Sequence, residues 1–416
     1  MRIHYYKQFF SGPHAPGSQQ PRKLVWALAE RGHEVQVIAC DFNVYNEQTE
    51  PEEHEVLASG GSVRVHRLRA PRNIRRGLGA RLQSYTAFAR RAALLGRRLG
   101  PADVIVASVQ PLFTAWSARK AARRFRIPWL LEVRDLWPDA LEAKKAISWL
   151  QARPLHWLAD SLYWSADRVV TVTPGIKQQL VKKGLPAGRV DVFPNGFDSN
   201  LFRIPSDTRE QKRREMGWDS AFVALYAGAH TEVTAVETVV RAASALRGRG
   251  DIRFDLFGEG QTKPGLQLLA RQMRLSNVHF HDPVPKAEVP ALIAAADVCL
   301  MTLFESPLID IYFENKLMDY MGAGKPILAA MGGMQAKLLR DYSAGLVVPA
   351  MDHEGLAKLV VEAATNPVGV ARLGLNGRHL VEEHLILSDI LDCYSTVIEA
   401  VAAGNAGLVP AWQPRL

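Results

Sequence analysis

Short runs rich in Val, Ile and Leu recur along the 416-residue chain, each followed by a stretch of helical spacing. A strand that is apolar throughout needs cover on both faces, which parallel strands in an α/β fold receive. In the first half these runs are EVQVIAC (34–40), DVIVAS (103–108), WLLEVRD (129–135), RVVTVT (168–173) and VDVFPNG (190–196). Before the first of them, PRKLVWALAERGH spaces Leu24 and Leu28 by one helical turn behind Pro21, and Gly32 ends the helix. A second series follows: FVALYAG (222–228), IRFDLFGEG (252–260), NVHFH (277–281), DVCLMTL (297–303), KPILAA (325–330) and AGLVVP (344–349). The pattern predicts two doubly wound α/β domains, 1–203 and 204–388, followed by a C-terminal helix and tail, 389–416, packing back on the first. The charged stretch NLFRIPSDTREQKRREMG (200–217) reads as the boundary region, and the aperiodic GNAGLVPAWQPRL (404–416) as loosely held.

Composition narrows the class. Apolar residues make up 48% of the chain and charged ones 22%, a globular balance. No apolar run approaches the roughly 18 residues of a membrane span. The start MRIHYYKQFF does not read as a signal peptide. Cys40, Cys299 and Cys393 lie in apolar or helical stretches without metal-ligand spacing, as expected of reduced packing residues in a cytoplasmic protein. No metal and no cofactor are expected.

The net charge of +9 suits nucleic acid, anionic lipid or an anionic substrate equally. Its distribution is more informative. Residues 69–98 carry nine arginines and no acid. Leu82, Tyr85, Phe88, Ala89 and Leu99 give that stretch an apolar stripe beside a basic face. Arg72, Arg75, Arg76, Arg81, Arg90 and Arg91 are the candidates for contact with an anionic membrane, each basic residue adding ~1 kcal/mol near the surface. The alternative is a solvated helix whose arginine stems cover apolar neighbours. Trp137, Trp149, Trp157 and Trp164 follow and either deepen that contact or belong to the core. Aromatic interleaving on a recognisable RNA fold is missing, so nucleic acid is not expected as a partner.

The segment FENKLMDYMGAGKPILAA (313–330) is the most informative. A helix is expected from an Asn315 cap to the glycines Gly322 and Gly324. Its free amides and Lys316 face an anion, and Asp319 lies one turn deeper on the same face. A carboxylate there accepts hydrogen bonds from ribose hydroxyls; the bland reading is a capped helix with a solvated Lys and Asp. MGAGKP lacks the spacing and the Ser/Thr of a phosphate-binding P-loop.

These segments, in order, resemble the retaining GT-B glycosyltransferases of family four. ERGHEVQVIA (30–39), TPGIKQQLVKKGLPAGRVDVFPNGFD (173–198), FGEG (257–260), NVHFHDPVPKAEVPALIAAADVCL (277–300) and DYMGAGKPILAA (319–330) carry the likeness. EVRDLWPDALEA (132–143) and YWSADRVVTVT (163–173) are similar to the fucosaminyl-type transferases of O-antigen and capsule assembly. The resemblance implies two Rossmann-like domains facing each other across a cleft, and retaining hexosyl transfer from a nucleotide-diphosphate sugar. The acceptor it implies is lipid-linked, met at the inner face of the cytoplasmic membrane. A nucleotide-sugar epimerase of the same fold, or a transferase using a small soluble acceptor, are the alternatives.

It also implies roles by position. Gly17 and Ser18 stand where the family has paired glycines near the donor phosphates, and Gly228 leaves room for the diphosphate with His230 nearby. AGAHTEVTAVE lacks the Arg and Lys common in that region, leaving Lys316 and amides as phosphate ligands. Gly258, Pro283 and Val284 fall in the nucleotide-binding half, with the segment from His281 to Val284 cradling the base. Asp319 stands at the second acid of a Glu, seven residues, Glu pattern. The first position is Ile311, so Asp310 or Glu314 would have to replace it. Asp135, after a strand, is placed to orient or deprotonate the acceptor hydroxyl. Arg134 beside it either steadies an acceptor phosphate or pairs with a neighbouring carboxylate.

Overall fold

The computed structural model of the protein describes every residue except 14, 16, 73, 144–146, 206, 307, 308, 312, 408, 409 and 414–416, with the backbone alone for 75, 140 and 143. The chain forms two compact units, Met1–Asn195 with Ser388–Pro414, and Gly196–Leu387.

The first unit runs β1 (Arg2–Tyr6), α1 (Gln20–Glu30), β2 (Glu34–Cys40), β3 (Glu53–Val56), β4 (Ser62–Leu68), α2 (Leu78–Leu99), β5 (Val104–Ser108) and α3 (Leu112–Phe125). It continues through β6 (Trp129–Val133), α4 (Asp139–Ala143), α5 (Trp149–Ser165), β7 (Arg168–Thr171), α6 (Pro174–Lys182) and β8 (Val190–Val192). The sheet order is β3-β4-β2-β1-β5-β6-β7-β8, parallel except for β3 on β4. Every residue of β5, β6 and β7 is buried, which is why these strands read as unbroken apolar runs.

The second unit runs α7 (Thr208–Met216), β9 (Phe222–Ala227), α8 (Glu237–Ala245), β10 (Ile252–Phe257), α9 (Lys263–Gln272), β11 (Val278–His281), α10 (Val289–Ala295) and β12 (Val298–Thr302). Then come α11 (Asn315–Gly322), β13 (Ile327–Ala330), α12 (Gly333–Asp341), β14 (Gly345–Val348), α13 (His353–Thr365) and α14 (Pro367–His384). Its strands are all parallel in the order β11-β10-β9-β12-β13-β14. The order reverses between β9 and β12, the place where open α/β sheets form a ligand crevice at the strands' carboxyl ends. The charged stretch after residue 200 folds as α7. Its Arg209 and Arg213 grip Asp297 at 2.7 and 3.1 Å and donate to the carbonyls that end α10.

The last helix, α15 (Leu387–Ala402), leads into the tail. That tail is irregular but not loosely held. Arg168, buried on β7, binds Asp191 at 2.6 and 3.0 Å and donates to the carbonyls of Ala406 and Pro410. Trp412 bonds Asp191 and Val192 through its main chain, and its ring stacks on Phe193 at 4.7 Å. An arginine buried in a parallel sheet needs acceptors in nearly every donor direction, and the tail supplies two of them. Among the described residues no helix is long and apolar enough to cross a membrane.

Each unit holds a deeply buried imidazole, His4 on β1 and His230 beyond β9. Burial, then the nearby Arg2, lowers His4 from 6.5 to about 4. Burial, then Lys263 and Lys316 against the opposing Glu259, lowers His230 to about 4 as well. The unfolded chain binds these protons near pH 6.5 and the folded chain only near 4. Stability is therefore complete above 6.5 and falls as pH drops through that window. Urea unfolding at pH 7.5 and 5 should differ by about 2 kcal/mol per imidazole. His230→Asn should remove the second unit's share of the difference, and equal wild-type midpoints at the two pH values would contradict the burial of both rings.

Candidate functional site

Where the strand order of the second unit reverses, a cavity of about 450 Å³ opens. Its floor is main chain. Gly258, at φ +139°, lies so close to the turn after β9 that a Cβ would fall 1.9 Å from the Gly228 carbonyl oxygen. At Gly260 a Cβ would fall 2.0 Å from the carbonyl oxygen of His230. Only glycine satisfies either position, because the obstacle is backbone and cannot turn aside.

One wall is the start of α11. Glu314 precedes its first residue in extended conformation, its side chain makes no capping bond, and its amide donates to Gln335 at 2.9 Å. The expected cap at Asn315 is thus one residue late: Asn315 is already helical, because the chain turns at Glu314. Glu314, Asn315, Lys316 and Asp319 all line the cavity. The Lys316 ammonium is buried, bonds the Tyr226 hydroxyl at 2.9 Å and lies 4.5 Å from that ring's centroid. Burial works against its charge, yet Tyr226 and Glu314 beside it raise its pKa above the ordinary value. Gly228 keeps the space above it open, since a Cβ there would come within 3.1 Å of the ammonium. Asp319 is half-buried and paired with Lys286, whose side chain is 53% exposed.

The opposite wall is Pro283 and Val284, beside Gly258. Beneath them the His281 ring stacks on Phe257 at 4.2 Å and holds the buried Asp255 at 2.6 Å. Lys263 ties the His281 carbonyl to Glu259 and Asp282. His230 does not line the cavity. Its ring is buried against Tyr226 and Phe280, with neither nitrogen partnered among the described residues. Of the two acids considered in place of Ile311, Glu314 lines the cavity; Asp310 is exposed on the one-turn helix Ile309–Ile311 and does not. Lys286 was missed in the sequence because a single lysine in a loop carries no periodic signal.

In the first unit, Arg134 and Asp135 follow β6. The guanidinium donates to Gln20 and Asn195 at 2.5 Å each, to Glu132 at 3.3 Å and to the Ser18 hydroxyl at 3.4 Å. Glu132 is buried and also accepts from Tyr5 and Lys7; despite its burial, the charges of Lys7 and Arg134 hold its carboxyl below the ordinary range. Arg134 therefore pairs with a neighbouring carboxylate, and that carboxylate is Glu132. Asp135 is half-buried and accepts from the Gln110 side-chain amide. Gly17 lies at φ +128°, a conformation that L side chains rarely adopt, and a Cβ there would fall 2.6 Å from the Ser11 hydroxyl. Among the described residues no group of three or more His, Cys, Asp or Glu side chains is placed to hold a metal ion.

The arginine-dense stretch divides. Arg72 bonds Thr49 and the Glu47 carbonyl, Arg81 the Ile74 carbonyl, and Arg91 that of Arg69. Arg76, Arg90 and Arg91 are exposed, and the Arg75 side chain lies outside the described residues. The apolar stripe is shifted as well: α2 buries Ser84, Phe88, Ala89, Ala92 and Gly96, whereas Leu82 is exposed. Trp137 packs on the small cluster of Leu141, Ile147 and Ala152, but Trp149, Trp157 and Trp164 are exposed rather than core.

Residues 18–196 match the family "Glycosyl transferase 4-like domain" and residues 221–366 match "Glycosyl transferases group 1". The D-inositol 3-phosphate glycosyltransferase of Streptomyces avermitilis is 29% identical over 223 residues, 50% of this chain and 47% of that protein. The chain thus spans about half the length of this curated relative. A putative colanic acid biosynthesis glycosyl transferase, WcaI of Escherichia coli K12, is 26% identical over 317 residues, 73% of this chain and 76% of its own. Among solved structures, Anabaena HepE in complex with UDP and glucose superposes with a TM-score of 0.69 at 16% identity, covering 96% of this chain and 99% of HepE. Two glycosyl transferase domain families are thus matched in tandem over most of the chain, and its two Rossmann-like sheets have the GT-B fold.

Proposed function

We propose that the protein transfers a glycosyl group, with retention, from a nucleotide-diphosphate sugar to the hydroxyl of a lipid-linked saccharide in bacterial surface polysaccharide assembly. The observation that carries this reading is the second-unit cavity. There a buried ammonium, the first turn of a helix and a carboxylate one turn deeper line the same space. A diphosphate suits Lys316 and the helix amides, a ribose suits Asp319, and a base suits the main chain of His281–Val284. Charge on the diphosphate is met by these groups rather than by a metal ion. The complex of HepE with UDP and glucose supports a nucleotide sugar, and the colanic acid relative supports polysaccharide assembly. The likeness of residues 132–143 and 163–173 to fucosaminyl-type transferases points the same way.

In the proposed reaction the bond from the sugar's anomeric carbon to the diphosphate oxygen breaks, its electron pair leaving with the diphosphate. Lys316 stabilises that developing charge. The acceptor oxygen bonds the anomeric carbon on the same face, and its proton passes to a phosphate oxygen. Asp135 orients the acceptor hydroxyl. Arg134, bonded to Ser18 and Gln20, is a positioning residue for the loop before α1. The enzyme works as a peripheral protein at the cytoplasmic face of the membrane.

Two measurements test the assignment. Lys316→Ala and Asp319→Ala should each weaken binding of UDP-, GDP- or dTDP-sugar by about tenfold or more, since a charge-assisted hydrogen bond contributes ~1.5–3 kcal/mol. Wild-type affinity in both variants, by titration calorimetry, would refute the donor site. Asp135→Asn should cut turnover about a hundredfold or more at unchanged donor affinity. Full transfer rates, or loss of donor binding, would remove it from the acceptor side. Nucleotide release that requires an acceptor separates transfer from epimerisation.

A further inference from the structure

α5 turns tryptophans outward. Trp149, Trp157 and Trp164 are 63%, 73% and 49% exposed, and Leu150 is 61% exposed. The Arg153 guanidinium lies 5.8 Å from the Trp149 ring centroid. Next to this face, α2, α3 and α5 enclose a shallow, mostly apolar cavity of about 190 Å³, lined by Ala89, Arg90, Phe113, Trp116 and Leu158. Lys120 stands 3.7 Å from the Trp116 ring centroid.

The charge around this face is mostly positive, although His156 of α5 holds Glu142 of α4 at 2.6 Å. α2 contains five arginines and α3 contains Arg119, Lys120, Arg123 and Arg124, with no acid in either helix. In α5 the only acid is Asp160. Arg90, Arg97, Arg98, Arg123 and Arg124 are exposed. A second copy of the chain, docked face to face, would set arginine against arginine. The core of a protein interface is depleted of charge, whereas this face mixes indoles with cations. Indole rings at headgroup depth among basic side chains match a surface of anionic headgroups over acyl chains.

We propose that the α2–α3–α5 face docks on an anionic phospholipid bilayer, the α5 tryptophans seated at the headgroup level and the neighbouring cavity open to an acyl chain. This rests on the reading of a membrane-borne acceptor and shifts the centre of the contact from the arginines of residues 69–98 to α5, with Arg90 shared by both. The test uses the full chain, vesicles of phosphatidylglycerol or of phosphatidylcholine, and the variant Trp149→Ala/Trp157→Ala/Trp164→Ala. Wild type should pellet with phosphatidylglycerol vesicles, release at high salt, and lose tryptophan emission when the acyl chains carry bromine. The variant should partition about tenfold or more weakly and lose most of that quenching, while nucleotide-sugar affinity stays unchanged. A variant that pellets like wild type overturns the proposal, as do equal binding to phosphatidylcholine or a lipid-free dimer that the three substitutions abolish. Vesicle docking without nucleotide-sugar binding would uphold the face and sink the transferase reading instead.

Discussion

The second-unit site depends on one constraint, the contact of main chain on main chain between Gly258 and Gly228. With no side chain on Gly258, the turn after β10 settles onto the turn after β9, and the Gly228 amide bonds the Phe257 carbonyl at 2.9 Å. The same fit recurs one step out, where Gly260 lies on the His230 carbonyl and the His230 amide bonds the Glu259 carbonyl at 2.9 Å. The two turns are therefore thin. Space that side chains would have filled is left between them and α11, and Lys316 reaches into it from below. A buried ammonium is costly unless its charge is shared. Here the Tyr226 hydroxyl, its ring and Glu314 share it.

A buried carboxylate plays the corresponding part in the first unit. Glu132 gathers Tyr5, Lys7 and Arg134, so that β1, β6 and the loop before α1 meet at one charge. Taking one partner away would leave a buried charge unbalanced, a change that typically costs ~3–5 kcal/mol. Arg134 is thereby fixed as a strut, with its fork divided among Gln20, Asn195, Ser18 and Glu132. Asp135, one residue on, is half-buried and accepts from the Gln110 side-chain amide. The two neighbours sit in the bend after β6, and their side chains go to different partners.

Which parts of this were legible in the sequence follows from the physics of each signal. Strands buried on both faces leave unbroken apolar runs, and the runs at 103–108, 222–228 and 297–303 contain β5, β9 and β12 with ends within a residue or so. β3 and β4 escaped because an edge ribbon such as EHEV carries charge at alternate positions and resembles a loop. α11 was readable from its closing glycines, but its start was set by the turn at Glu314, which depends on Gln335 far along the chain. Lys286 and the tail had no local signal at all. Each is fixed by a long-range partner, Asp319 in one case and Arg168 with Asp191 in the other.

Net charge is the signal that needed the structure most. A balance of +9 says nothing about where the cations go. Arg168 is consumed inside a sheet, Arg209 and Arg213 close the end of α10, and Arg72, Arg81 and Arg91 bind local acceptors. These guanidiniums act as multiple hydrogen-bond donors to oxygen atoms that would otherwise lack partners, a structural use for which Arg's fixed fork is suited. The share able to attract a partner is what remains exposed. Part of that share, on the C-terminal part of α2 and the end of α3, lies in the same unit as the outward tryptophans of α5. Cations alone would give a loose, salt-sensitive attraction, and indoles alone an aggregation hazard. Together on adjoining helices they define one face with both range and depth.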